Sequence, residues 1–182
     1  MSVEMMHTIR QGNLVKRYHT LELLKEETVG QHCANVAGIL IALYTPVMPP
    51  ADLLVHALTH DVHEQWTGDV PANIKKDNAL LDRALYEAEM LWERENNWPR
   101  LAFSVEEWAL FKFADSLDCA LTCLHELRLG NGTLFNVAKR AKVYALDAQA
   151  QLNVSHPSTR VAELMCENLI VEMNHVSKRY AS

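Results

Sequence analysis

Apolar residues recur along this chain at helical spacing, three and four apart, and not in alternation. Leu80, Leu81, Ala84, Leu85, Ala88 and Leu91 predict an amphipathic helix over about Asp77–Asn96. A short first helix is expected over Glu4–Gln11, ended by Gly12-Asn13, with a loop from Val15 to Thr28. Thr28 is a fitting N-cap for a second helix reaching about Tyr44. That helix carries Cys33, Ala34, Val36, Ala37, Ile39, Leu40, Ile41 and Leu43, so it reads as apolar on nearly all sides and central. Thr45-Pro46 and Pro49-Pro50 punctuate the chain before a third helix, Ala51 to about Trp66, which a Gly68-Asp69-Val70-Pro71 turn closes. Ser104 with Glu107 is a capping-box start for a helix running to Leu129, stopped by Gly130-Asn131-Gly132. Two more follow, over Leu134–Leu152 and from Pro157 onward. No segment of four to eight residues alternates cleanly between turn signals. The expectation is all-α: one domain over 1–182, a bundle of six to seven helices.

Composition sharpens this picture. The 182 residues are 49% hydrophobic and 22% charged, a globular mixture. Seventeen basic against 23 acidic side chains give a net charge of −6. That sign argues against a nucleic-acid polymer or an anionic membrane as the partner, while leaving room for a small anion at a locally positive site. The longest apolar run, Ala34–Tyr44, is broken by Asn35 and too short to span a bilayer, and the N-terminus lacks the apolar core of a secretory signal. A cytoplasmic protein is expected, in the host cytoplasm if it is phage-encoded. Cys33, Cys119, Cys123 and Cys166 read as reduced, buried thiols.

Against this apolar background a few polar residues stand out. His32 begins the most apolar helix, His60-Asp61 follows Leu53, Leu54, Val55, Ala57 and Leu58, and Asp115 sits within Leu110–Leu117. A buried charge costs several kcal/mol unless paired or bound to metal. Two imidazoles and two carboxylates from three packed helices suit a divalent cation of mixed nitrogen and oxygen preference. Zn, Co or Mn fit such a set best, with Mg as a second ion. Glu64 lies four residues after His60, on the same face if the helix continues. The competing zinc set, His56 and His60 with Cys119 and Cys123, fits less well, because the two cysteines follow a buried helix stripe. Trp66, Trp92, Trp98 and Trp108 read as packing residues.

The string His60–Lys75 (HDVHEQWTGDVPANIK) is highly specific, and Arg17-Tyr18, Thr28–His32, Phe111–Leu121 (FKFADSLDCAL) and Glu126–Asn131 (ELRLGN) support it. Together these resemble the HD-domain metallophosphohydrolases, and more narrowly the YfbR-like 5′-deoxynucleotidases and the DatZ-like phage dATP triphosphohydrolases. The resemblance covers about Arg10–Leu134. It implies an HD-domain fold with His32, His60, Asp61 and Asp115 as metal ligands. Glu64 would act on the attacking water or protonate the leaving oxygen. Arg17 would hold phosphate, and Tyr18 would pack on the sugar and sense a missing 2′-OH. Asp69 would hydrogen-bond the sugar or fix Arg17, Lys75 and Lys112 would reach further phosphates, and His19 and Thr20 would face the base. Two departures mark this chain: Gln31, where relatives commonly carry an acid, and Tyr18, where the bacterial enzymes carry Trp.

The implied reaction is cleavage of the P–O5′ bond of a 2′-deoxynucleotide. A triphosphate such as dATP would yield deoxynucleoside and triphosphate; the alternative is a 5′-deoxynucleotidase releasing phosphate. A non-catalytic, metal-stabilised helical module is the alternative of another class. The resemblance also implies a homo-oligomer, a dimer or hexamer.

Overall fold

The structure is a computed structural model that describes residues 3–180. Its helices are α1 (Val3–Gly12), α2 (Val29–Tyr44), α3 (Ala51–Thr59), α4 (Glu64–Thr67), α5 (Ala72–Asp77), α6 (Ala79–Glu95), α7 (Val105–Leu129), α8 (Phe135–Ala150) and α9 (Pro157–Ser177). A single 3₁₀ turn, Gly132–Leu134, precedes α8. No strand occurs among the described residues, only one antiparallel bridge between Lys16 and Thr28.

The expected caps are present. Thr28 accepts from Gln31 N–H while the Gln31 side chain accepts from Thr28 N–H, a complete capping box for α2. Gln31 is therefore a helix-start residue, and a neutral amide does this work as well as an acid. Ser104 and Glu107 form the same box on α7, and Gly130 ends that helix at φ 103°, where a side chain would be strained.

α7 is the axis of the core. Leu110, Phe111, Phe113, Ala114, Leu117, Ala120, Cys123, Leu124 and Leu127 are buried along it, against residues of α2, α3, α8 and α9. Each large apolar side chain buried there contributes roughly 1.5–3 kcal/mol. No helix among the described residues is long and apolar enough to cross a membrane.

Three expectations need correction. α2 is not enclosed: Gln31, Ala34, Asn35, Gly38, Ile41 and Ala42 form an exposed stripe, because α3, α7 and α9 cover only its other side. The third helix does not run through to Trp66. It stops at Thr59, because the ring of His60 takes Ala57 O at 3.0 Å, the carbonyl that Asp61 N–H would use in a continuing helix. The chain then tightens into turns, with Val62 N–H on Thr59 O and Glu64 N–H on Asp61 O, before α4 begins. Finally, Ala72–Asp77 is helical, between the Gly68–Pro71 turn and the predicted Asp77–Asn96 helix, where no separate element was expected. These changes bring the number of α-helices to nine among the described residues.

The turn at Asp61–His63 is buttressed by α1. A Cβ on Gly12 would lie 2.6 Å from Val62 O, so only glycine permits this approach.

Candidate metal centre

His32 on the first turn of α2 is fully buried and meets α7 on both ring edges. Its Nε2 lies 3.2 Å from Asp115 Oδ1 and 3.8 Å from Asp61 Oδ2, and its Nδ1 lies 2.7 Å from Asp118 Oδ2. His60 Nε2 stands 3.3 Å from Asp61 Oδ2, and the two imidazole centroids are 5.2 Å apart. Among the described residues, His32, His60 and Asp61 are the group of three or more His, Cys, Asp or Glu whose ligand atoms all fall within 4.8 Å of one another. Asp115 adjoins this group through His32, while its other oxygen pairs with Lys112 Nζ at 3.3 Å.

The hydrogen-bond pattern fixes which nitrogens face inward. A carbonyl only accepts, so His60 Nδ1 donates to Ala57 O. A carboxylate likewise accepts, so His32 Nδ1 donates to Asp118. Both Nε2 atoms are buried without a hydrogen-bond partner. Two unpartnered imidazole nitrogens beside two carboxylates fit a divalent cation such as zinc, which takes histidine nitrogen and aspartate oxygen. His32, His60, Asp61 and Asp115 would hold it.

The charge balance points the same way. Burial opposes protonation of His32, and so does Arg17, yet Asp115 and Asp118 outweigh both and raise the ring to about 9. Burial would raise Asp61, but the His60 ring beside it holds it well below the ordinary carboxylate range. The carboxylates create a strong demand for positive charge at this point.

Glu64 is the first residue of α4 and only 4% exposed, with Oε2 buried and unpartnered. Burial, then the neighbouring Asp61 and Asp69, push its carboxyl up to about 9, against the pull of Lys75 and Arg17. This environment favours the protonated form of Glu64. Helical spacing does not place it there, since the helix breaks between His60 and Glu64; the turn does.

The loop before α2 brings in Arg17 and Tyr18. Arg17 Nη1 lies 2.9 Å from Glu27 Oε2 and 3.8 Å from Asp118 Oδ2. Glu27 is itself buried and also accepts from Thr122 Oγ1. Tyr18 has φ 55°, a conformation uncommon for a bulky residue. It is held there by its N–H donating to Asp69 Oδ2 at 3.0 Å and by its hydroxyl donating to Cys119 Sγ at 3.1 Å. Asp69 thus fixes Tyr18, not Arg17. Glu126 pins the far end of the loop, accepting from Leu24 N–H and Lys25 N–H, and Asn131 Nδ2 braces it through Glu126 and Glu22 O. His19 and Thr20 are exposed.

Lys75 of α5 lines a cavity of about 430 Å³ that opens beside Glu64, with Arg83, Asp82, Tyr86 and Glu89 on its other walls. Lys112 is half-exposed and lies over the faces of Trp108 and Phe111. Trp92 packs on Trp98, whereas Trp66 and Trp108 stand partly in solvent. The His56/Cys119 zinc set does not form, because His56 packs among Phe103, Trp108 and Phe111 and Cys119 is tied to Tyr18.

Sequence reading missed Asp118, Glu27 and Glu126. Asp118 had a visible signal: it lies three residues after Asp115, in the same apolar stretch of α7. Glu126 enters the sequence reading only within the ELRLGN string, with no role, and Glu27 not at all.

Comparison with known proteins places this geometry. A family model described as "5′-deoxynucleotidase YfbR-like" matches residues 4–163. A 5′-deoxynucleotidase of Photobacterium profundum is 26% identical over 149 residues, 70% of this chain and 77% of that protein. The YfbR 5′-deoxynucleotidase of Photorhabdus temperata is 29% identical over 147 residues, 69% and 74% of the two chains. Among solved structures, the cyanophage S-2L HD phosphohydrolase DatZ, bound to dA and one catalytic Zn²⁺ ion, superposes with a TM-score of 0.66 at 16% identity. That match covers 91% of this chain and 96% of DatZ, and it shows a shared fold. With its all-α bundle and clustered His32, His60 and Asp61, this chain belongs to the YfbR-like family of HD-domain hydrolases.

Proposed function

We propose that the protein cleaves the P–O5′ bond of 2′-deoxynucleotides with a divalent cation held by His32, His60, Asp61 and Asp115. The observation that carries this reading is the cluster of His32, His60 and Asp61, in which both imidazole Nε2 atoms are buried without a hydrogen-bond partner, with the buried, unpartnered Glu64 carboxyl on the next turn. A divalent cation there supplies Lewis acidity toward a phosphoryl oxygen and makes water a better nucleophile. The rest is done by side chains. Arg17, held by Glu27 and 3.8 Å from Asp118, would offer its guanidinium to the phosphate. Glu64, whose burial favours the protonated carboxyl, would donate its proton to O5′ as the P–O5′ bond breaks, so the sugar leaves as an alcohol and not as an alkoxide. Tyr18, fixed in an unusual backbone conformation, presents its ring beside Arg17 as a wall for the sugar.

The triphosphate reading, with dATP as the first substrate to test, is favoured by Lys75. It makes no ion pair among the described residues, and it faces the cavity next to Glu64, where phosphates beyond the first would be met. The monophosphate reading is favoured by Arg17 and Lys112, both already paired with carboxylates, and by the activity named for the curated relatives. Incubation with dAMP, dATP and dGTP plus Zn²⁺, Co²⁺ or Mn²⁺, followed by separation of phosphate from tripolyphosphate, decides between them. Tripolyphosphate from dATP supports the first reading and orthophosphate from dAMP the second. Absence of any deoxynucleoside product under all conditions would sink both. A homo-oligomer, dimer or hexamer, is also proposed; a monomer by sedimentation at micromolar concentration would refute it.

A further inference from the structure

We propose that Asp118 is a positioning residue that sets the tautomer and direction of the metal-ligand His32. This rests on the metal-centre reading above. Asp115 and Asp118 lie three residues apart on α7, so one helical turn presents both carboxylates to the same side. Between them they bracket one imidazole: Asp115 at Nε2, 3.2 Å away, and Asp118 at Nδ1, 2.7 Å away. Asp118 is 3% exposed. Arg17 Nη1 lies 3.8 Å from the same Asp118 oxygen, and the Glu27 carboxylate is also close enough to repel it.

A buried acid at this depth is costly unless its charge is used. Here its use is specific. An ionised carboxylate at Nδ1 keeps the ring proton on that nitrogen and leaves the Nε2 lone pair toward Asp61 and Asp115. An apolar residue would let the ring proton move to Nε2, where it blocks coordination. A carboxylate hydrogen-bonded behind a ligating histidine also raises the ligand's basicity, and losing such a partner typically lowers metal affinity about 10- to 100-fold. Asp118 touches Arg17 as well, so the same residue keeps the phosphate-binding cation in register with the ligand. Asp118 is expected not to touch substrate; it acts through His32.

The test is a zinc titration of apo protein by competition with a chromophoric chelator. It compares wild type, Asp118→Asn, Asp118→Leu and Asp118→Ala, with ¹⁵N imidazole NMR of His32 in the apo protein at a pH where the ring is neutral and thermal unfolding as the check on folding. The expected result is a roughly 10- to 100-fold weaker Kd in Asp118→Ala and Asp118→Leu, with the His32 Nδ1–H signal characteristic of wild type lost or split between tautomers, and a smaller but more than twofold loss in Asp118→Asn, whose neutral amide oxygen can still accept from Nδ1. Asp118→Leu, close to aspartate in shape and without an acceptor, decides the matter if Asp118→Ala does not fold. Zinc affinities within twofold of wild type, with the His32 tautomer unchanged, would overturn the proposal while leaving the metal centre standing. Wild-type protein that takes up no zinc would overturn the metal-centre reading itself, and this proposal with it.

Discussion

Replacing Glu64 by glutamine keeps the size and shape of the side chain but removes its ionisable proton. In the folded protein Glu64 titrates at about 9 instead of 4.5, through burial and the nearby Asp61 and Asp69. Each tenfold change in proton affinity is worth about 1.4 kcal/mol, so ionising Glu64 in place costs about 6 kcal/mol as a ceiling. Relaxation and water entry reduce such figures, and ~2 kcal/mol is a safe threshold for detection. Because the folded state holds this proton more tightly than the unfolded chain, the stability it gives is complete below pH 4.5 and lost as pH rises through about 9. Glutamine stays neutral throughout. In denaturant unfolding with a chelator present, E64Q should therefore match wild type near the acid end and become progressively more stable than it toward pH 9. Turnover of the loaded enzyme should fall about 10²- to 10⁴-fold in the same variant, since a general acid contributes that much. A stability gap that does not change with pH would show that Glu64 titrates normally and that the general-acid role has no basis.

Other perturbations read other parts of the site. Arg17→Ala should raise KM at least tenfold for every phosphorylated substrate and destabilise the fold by roughly 3 kcal/mol, because it strands the buried Glu27 carboxylate; unchanged kinetics would remove Arg17 from phosphate binding. Asp69→Ala releases the backbone of Tyr18 from its left-handed conformation and should erode the proposed preference for deoxyribose, read as rates on dATP against ATP and dAMP against AMP, with metal content unchanged. Equal deoxyribose preference before and after would sink the wall assigned to Tyr18. Gly12→Ala places a methyl group 2.6 Å from Val62 O and should cost about 1–3 kcal/mol in chemical denaturation, since backbone cannot step aside cheaply; a neutral effect would mean that α1 does not brace the Asp61–His63 turn.

Much of this architecture was legible in the residues because its signals are local. Thr28 with Gln31 and Ser104 with Glu107 are caps whose partners lie three positions away, so sequence alone places both helix starts. His32, His60, Asp61 and Asp115 stood out because each interrupts an apolar run, and burial makes such interruptions meaningful. The break after Thr59 was not legible: a ring nitrogen competing with a backbone N–H for Ala57 O depends on a rotamer set by the neighbouring helices. Glu27, Asp118 and Glu126 escaped for a related reason. Their partners Arg17, His32 and the Leu24–Lys25 backbone lie 10 to 102 residues away, and nothing in a solvated-looking acid announces a distant hydrogen bond.

The central claim is that four side chains from three segments grip one cation. Crystals grown with Zn²⁺ and measured at the zinc absorption edge test it most directly. The account predicts a single strong anomalous peak, roughly 2.0–2.2 Å from His32 Nε2, His60 Nε2 and carboxylate oxygens of Asp61 and Asp115. A peak bound by other residues, or none between these four, would contradict it.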